Sequence, residues 1–171
     1  GTGEDKVHLC IVLTSDRGLC GGFNTNIIKK AKAYFKKISD EGKILKIITV
    51  GSKGYDQLKR TYKDNIVERV SFKDSKTINY LDAEKVGKMI IENFEKKEFD
   101  VCTIFYNKFK NVITQIPQAQ QIIPLNDEGN ENSSDESYEF EPDEDEILSN
   151  LLPKNISTQI FKAMLENSAS E

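Results

Sequence analysis

The chain is predicted to fold as an α/β domain with a mostly parallel sheet, and three observations carry that prediction. Strand-length apolar runs stand at Val7–Leu13, Ile44–Val50 and 101–106. Each is too continuously apolar to leave one face in water, so these are central strands covered on both sides. Amphipathic helical patterns lie between them. Strand-helix alternation of this kind builds a parallel sheet through right-handed crossovers. With 171 residues and 37% hydrophobic content, the chain can bury one sizeable core, and its length favours one domain over two.

The first strand runs into the stretch Thr14-Ser15-Asp16-Arg17-Gly18-Leu19-Cys20-Gly21-Gly22-Phe23-Asn24-Thr25-Asn26, which reads as a tight loop and a helix start. Over residues 24–40, Ile27, Ile28, Ala31, Tyr34, Phe35 and Ile38 share one helical face, while Lys29, Lys30, Lys32, Lys36 and Lys37 take the other. After the second strand a shorter helix is expected over about 54–63 and a weak strand over about 66–72. A clearer helix begins after Leu81-Asp82, with Asp82 as its N-cap and Val86, Met89, Ile90, Asn93 and Phe94 on its inner face. The third strand, the polar break Lys110-Asn111 and an extended run over about 112–123 form a hairpin. Its second strand is antiparallel and lies at the sheet edge, where Pro117 and Pro124 are tolerated.

Residues 126–137 contain no apolar side chain and read as a flexible acidic loop. Order returns with the alternating Tyr138-Glu139-Phe140-Glu141-Pro142. A helical stretch with Ile147, Leu148, Leu151 and Leu152 follows, and Pro153 restarts a helix whose stripe is Ile156, Ile160, Phe161, Met164 and Leu165. The body is thus 4–125, followed by the loop 126–137 and a tail 138–171 in the same domain.

Charge is unevenly distributed. Residues 1–126 carry 22 Lys/Arg against 15 Asp/Glu, a net +7, and residues 127–171 carry 2 against 13, a net −11. Such a split suits two surfaces with different partners, or a solvated basic face beside an acidic loop. Three cysteines, Cys10, Cys20 and Cys102, are odd in number and lack metal-ligand spacing. A reduced, intracellular compartment is expected, with no disulfide framework. Neither a signal peptide nor a membrane-spanning run is visible, so work at a membrane would go through a partner.

The glycine loop invites a phosphate-binding reading, which its spacing does not support. Gly18, Gly21 and Gly22 give G-x-x-G-G rather than G-x-G-x-x-G, and the second strand ends in Thr49-Val50-Gly51-Ser52-Lys53 with no carboxylate for a ribose. No P-loop follows either strand. His8 is the sole histidine and sits inside the first strand. A dyad with Cys20 would span opposite ends of that strand, and a rise of about 3.3 Å per residue keeps the two apart. No catalytic, cofactor or metal constellation stands out. The lysines of the first helix lack the interleaved aromatics of a nucleic-acid surface, so no nucleic acid is expected as a partner.

Three segments, in order, resemble the gamma subunit of F-type ATP synthases. They are the Ser15-Asp16-Arg17-Gly18-Leu19-Cys20-Gly21-Gly22 loop, the turn Val50-Gly51-Ser52-Lys53-Gly54, and Tyr138 to Pro142 with Leu151-Leu152-Pro153 and Ser157-Thr158-Gln159-Ile160 through Glu171. The resemblance implies a three-layer Rossmann-like body that binds no nucleotide, flanked by two long coiled-coil helices, most of which lie outside this chain. It implies a non-catalytic rotor subunit that couples proton flow to ATP synthesis or hydrolysis, on the cytoplasmic face of a bacterial inner membrane or an organellar equivalent. The expected partners are the alpha/beta catalytic head, the epsilon subunit and the membrane c-ring, with membrane contact only through them. Asp16, Arg17, Gly18, Cys20, Gly21 and Gly22 would form a head-facing loop. Arg17, with the basic helix after it, would meet an acidic surface of the head. Tyr138, Phe140 and Glu141 would form a foot on the ring and epsilon. The competing reading is a small nucleotide- or phosphometabolite-binding enzyme on the same fold.

Overall fold

A computed structural model describes residues 5–16, 22–72, 79–111, 114–124 and 152–170. Strand β1 (Val7–Leu13) is followed by helix α1 (Gly22–Asp40), β2 (Ile44–Val50), α2 (Ser52–Tyr62), a 3-10 turn (Lys63–Asn65) and β3 (Ile66–Val70). Then come α3 (Tyr80–Glu95), β4 (Val101–Phe109), β5 (Gln115–Ile123) and α4 (Leu152–Ser170). The strands form one sheet in the order β3-β2-β1-β4-β5. All pairs are parallel except β4 with β5. This is the expected parallel sheet with an antiparallel edge strand.

Two separate cores cover the sheet, one on each face. On one face Cys10, Val12, Ile47 and Phe105 pack against Ile27, Ile28, Ala31, Phe35 and Ile38 of α1 and Leu58 of α2. On the other, Leu9, Ile11, Leu13, Ile48 and Ile104 pack against Val86, Ile90 and Ile91 of α3 and Ile156, Ile160, Ala163 and Met164 of α4. Period-2 side-chain alternation sends neighbours such as Cys10 and Ile11 to opposite cores, which is why β1 is apolar from Leu9 to Leu13. Cys10 and Cys102 are fully buried in different cores. Burial raises both thiols far above the ordinary range, so they are packing groups rather than nucleophiles.

Two expectations need correction. The N-cap of α3 is Asn79, three residues before Asp82. Asn79 accepts the Asp82 N–H while the Asp82 carboxylate accepts the Asn79 N–H, a reciprocal capping box. The box satisfies two terminal donors where a cap at Asp82 would satisfy one. In α4, Leu165 stands 44% exposed, and the buried seam runs instead through Ile156, Ser157, Ile160, Ala163, Met164 and Asn167. Polar Ser157 and Asn167 are inside because α4 meets backbone there. A Cβ on Gly87 of α3 would lie 2.6 Å from Ser157 Oγ, so the two helices meet where only a hydrogen fits. The short strand β3 ends at Val70 and the hairpin places Pro117 at the sheet edge, opposite Asn107.

Candidate functional site

In a doubly wound sheet, ligands bind outside the carboxyl ends of the strands, at the point where strand order reverses. Here that point lies between β1 and β4, and β1 leads into Thr14, Ser15 and Asp16. The N-terminus of α2 brings to the same edge N–H donors that have no partner within the helix, the usual cradle for a phosphate. Each of its first donors is already taken. Ser52 N–H donates to Asp16 Oδ1 at 2.8 Å, Lys53 N–H to the Ser15 carbonyl at 3.2 Å, and Gly54 N–H to Thr14 Oγ1 at 2.8 Å. The chain's own oxygens occupy the cradle.

Glycines permit this close approach. Gly51 has φ +107°, and a Cβ there would lie 2.3 Å from the Thr14 carbonyl oxygen; a Cβ on Gly54 would lie 2.9 Å from Thr14 Oγ1. The turn Val50-Gly51-Ser52-Lys53-Gly54 is therefore glycine-bearing so that β1 can lean on α2, and not to admit a pyrophosphate.

Asp16 reaches further. Its Oδ1 also accepts from Ser71 Oγ at 2.8 Å and its Oδ2 from the Phe72 N–H at 3.2 Å, just past β3. One carboxylate thus ties the segments following β1, β2 and β3 together. On the α1 side, Asn24 Oδ1 accepts the Ser15 N–H at 3.0 Å and Asn24 Nδ2 donates to Ser15 Oγ at 2.8 Å. At β4, the Asn107 N–H donates to Asn167 Oδ1 at 3.0 Å and the Phe109 N–H to Glu166 Oε2 at 2.8 Å. Helix α4 thereby covers the β4 end that β1 leaves unpaired, since the β1–β4 register ends at Val12 and Phe105.

Of the expected head-facing residues, Asp16 and Gly22 fall in the described structure, Asp16 as this tie and Gly22 as the first residue of α1. Arg17, Gly18, Cys20 and Gly21 lie outside the described residues, as do Tyr138, Phe140 and Glu141. Thr14, Ser15, Asn24, Ser52, Ser71, Glu166 and Asn167 were not singled out for this role from sequence.

His8 is buried at the opposite end of the sheet, where its ring contacts Tyr34 Oη at 3.1 Å and the Asp5 carboxylate. Lys43 bridges Asp5 and Glu41 at 2.8 and 2.9 Å. Its hydrogen bond lowers Asp5 and Glu41 below the usual carboxylate range, while both carboxylates raise Lys43. The Asp5–His8–Tyr34 row resembles a proton relay, but it runs on into the sheet through a hydrogen bond between Tyr34, whose hydroxyl is raised by burial, and the buried Thr103 side chain. His8 is a satisfied sheet histidine. Among the described residues no group of three or more His, Cys, Asp or Glu could hold a metal ion, and no helix is long and apolar enough to cross a membrane.

The fold and its edge define a doubly wound α/β body in which the first three N–H donors of α2 are taken by the chain's own oxygens. The chain belongs to the ATP synthase family, whose model matches residues 2–171. It is 91% identical over 172 residues to the ATP synthase gamma chain of Pelagibacter ubique, covering 100% of this chain and 59% of that protein. It is 53% identical to the gamma chain of Roseobacter denitrificans, again covering 100% of this chain and 59% of the relative. The chain therefore spans somewhat more than half the length of these curated relatives. The central stalk and c-ring structure of the Tetrahymena thermophila mitochondrial ATP synthase matches with a TM-score of 0.74 at 22% identity, over 99% of this chain and 73% of that one. The rotor of the Euglena gracilis enzyme matches with a TM-score of 0.69 at 18% identity, over 96% and 62%.

Proposed function

We propose that this chain is the globular part of the central-stalk rotor subunit of an F-type ATP synthase. In this role it carries no active site. It couples proton flow through the membrane ring to ATP synthesis or hydrolysis in the alpha/beta head by turning as a rigid body. Family membership over residues 2–171 carries the reading, and the filled edge of the sheet supports a non-catalytic part. The proposed partners are the head, the epsilon subunit and the c-ring. The proposed location is peripheral, on the cytoplasmic face of a bacterial inner membrane, reached through those partners.

Within that role the loop from Asp16 to Gly22 faces the head. Arg17 supplies positive charge to an acidic surface there, where opposite charges register a moving contact without tight burial. Tyr138, Phe140 and Glu141 form the foot on the ring and epsilon, where aromatics beside a carboxylate suit a partly polar interface. The test is ATP-driven proton pumping by membrane vesicles carrying the complete enzyme. Arg17→Glu is expected to retain ATP hydrolysis and lose pumping, and Tyr138→Ala with Phe140→Ala to release the ring. Undiminished pumping in either variant would remove those residues from the reading. Saturable thermal stabilisation of the chain by micromolar ATP, NAD or FAD would overturn the non-catalytic reading itself.

A further inference from the structure

A row of polar side chains at the amino end of the sheet links β1, α1 and β4. His8 is the chain's sole histidine, and histidine is the side chain that ordinarily changes charge between about pH 5 and 8. Its side chain is 6% exposed, whereas that of Asp5, just before β1, is 58% exposed. Nε2 meets Asp5 Oδ1, and Nδ1 meets Tyr34 Oη of α1 at 3.1 Å. Tyr34 is in turn hydrogen-bonded to the side chain of Thr103, which is buried on β4. The row runs from a solvent-facing carboxylate, through a buried imidazole, to a strand that is paired on both sides.

The direction of each hydrogen bond follows from the donors available. The Asp5 carboxyl is held below its ordinary range, first by its bond to Lys43, so at neutral pH it is ionised and can only accept. Nε2 therefore carries a hydrogen in both charge states of the ring, and Nδ1 is the nitrogen that titrates. In neutral His8, Nδ1 accepts the Tyr34 O–H, and Tyr34, its one hydrogen used, accepts from the Thr103 hydroxyl. With a proton on Nδ1 the ring donates at both nitrogens. Tyr34 Oη then becomes the acceptor, and its O–H turns to Thr103 Oγ1. The imidazolium finds an anion, Asp5, already bonded to it. Around this pair stand Lys43 and Glu41 ahead of β2, 2.9 Å apart, and Lys37 of α1, whose charge acts on Glu41. Cys10, on the same side of β1, is kept protonated by burial, and Asp100 ahead of β4 accepts the Lys6 and Val7 N–H groups.

We propose that the Asp5–His8–Tyr34–Thr103 row is a pH switch, in which one proton taken up by His8 Nδ1 reverses the hydrogen bonds between His8, Tyr34 and Thr103 and so carries the charge state of the sheet's amino end into β4. The proton comes from water and adds to the Nδ1 lone pair. Tyr34 and Thr103 keep their own hydrogens and only rotate them, as hydroxyls do to suit their partners. The rings stay where they are. Tyr34 is held edge-on against Phe105 with centroids 5.3 Å apart, and the His8 ring lies 6.1 Å from it. Linked hydrogen bonds polarise one another, so a reversal at His8 cannot stop at Tyr34 without leaving one of its hydrogens or lone pairs mismatched. The switch lies at the opposite end of the sheet from the α2 donors and does not depend on the rotor reading.

The test is a pH titration of the isotope-labelled full chain by NMR, where the sole imidazole identifies itself. At the alkaline end the ring should show a single tautomer with its hydrogen on Nε2. On acidification Nδ1 should gain its hydrogen, and the amide and methyl signals of Thr103 should move with the same midpoint. Tyr34→Phe keeps the packed ring and removes the hydroxyl, so His8 should still titrate while at least half of the Thr103 movement is lost. Thr103→Ser should retain the movement of its own amide and Thr103→Val lose at least half of it, which keeps the reversal readable if the Tyr34 variant does not fold. Far-UV circular dichroism checks each variant. A neutral ring with its hydrogen on Nδ1, or an imidazole that does not titrate before the chain unfolds, would overturn the proposal. So would a response at residue 103 that survives by more than half in Tyr34→Phe or in Thr103→Val, since the imidazolium charge would then act through space and not through the row.

Discussion

Replacing Gly51 by alanine should be the most damaging addition of a single methyl group at the carboxyl edge of the sheet. Gly51 combines φ +107° with ψ 132°, a conformation open to glycine and strained for any L side chain by about 1–3 kcal/mol. The new Cβ would also lie 2.3 Å from the Thr14 carbonyl oxygen and 2.7 Å from Thr14 Oγ1. Neither neighbour can swing away freely. The Thr14 N–H is bonded to the Val50 carbonyl at 2.9 Å, the Gly51 N–H to the Val70 carbonyl at 2.8 Å, and Thr14 Oγ1 accepts the Gly54 N–H. Relief therefore requires β1 and the β2–α2 turn to part, with the loss of one or two hydrogen bonds worth about 1 kcal/mol each. The total is about 2–5 kcal/mol. Gly42→Ala is the matched control, since Gly42 also has positive φ, at +77°, but nothing within 4 Å of an added Cβ. Its cost is the backbone strain less the entropy that alanine removes from the unfolded chain, about 1 kcal/mol. Urea denaturation followed by circular dichroism compares the two at constant m. Equal destabilisation by Gly51→Ala and Gly42→Ala would refute the claim that β1 is seated directly on this turn.

Further outcomes follow from the same geometry. Asn167→Ala should cost about 1–3 kcal/mol in the same urea assay, because it leaves the buried Asn107 N–H without that acceptor; a change below 0.5 kcal/mol, taken as roughly the noise level for surface substitutions, would count against it. Asp16→Asn places an amide N–H2 against donors that the carboxylate now accepts, from Ser52, Ser71 and Phe72, and should cost about 1–3 kcal/mol; unchanged stability would mean that the three-way tie carries no weight. The Asp5 carboxyl is lowered in the folded state by Lys43, so its stabilisation is complete above the ordinary value of 3.8 and is lost as pH falls through the lowered folded value. Acid unfolding of Asp5→Asn should accordingly be less steep below about pH 4 than that of the parent, and coincident curves would dismiss the Asp5–Lys43 contribution. Cys10 and Cys102 should stay unalkylated by iodoacetamide at pH 8 until the chain unfolds, as their raised, buried thiols require; peptide mapping that finds either labelled in the native chain would contradict their placement in the cores.

Much of this architecture is legible in the sequence because its signals are local. The strands Val7–Leu13 and Ile44–Val50 follow directly from continuous apolar runs, and α1 follows from a stripe that alternates cleanly with lysines. Boundaries shift where a side chain far in space, or a reciprocal bond, makes the decision. The start of α3 depends on the paired choice of Asn79 and Asp82, and Leu165 loses its inner place because α4 turns Ala163 and Asn167 toward the sheet. The edge of the sheet is harder to read. Thr14 bonds Gly54 across 40 residues and Asp16 bonds Phe72 across 56, and no periodicity announces such pairings.

The edge also shows how helix N-terminal donors can be satisfied from within the chain. Every α/β unit of this kind exposes helix N-terminal donors at the carboxyl ends of its strands, and those donors must be satisfied by water, by a ligand or by the chain. Water leaves the loops free to move, and a ligand makes their order conditional on its presence. Here Thr14, Ser15 and Asp16 supply the acceptors from within, while Asn167 and Glu166 of α4 do the same for β4. The segments after β1, β2 and β3 and the end of α4 are thereby fastened to one sheet whatever the solution contains. In the rotor role proposed above, a body that transmits force would have use for an edge whose order is unconditional. An enzyme on the same fold needs an edge that opens, so substitutions that free the α2 donors, such as Asp16→Ala with Thr14→Ala, should yield a weak affinity for inorganic phosphate that the parent lacks. Isothermal titration with phosphate measures it, and equal heats from parent and variant would mean that these oxygens do not stand where an anion would.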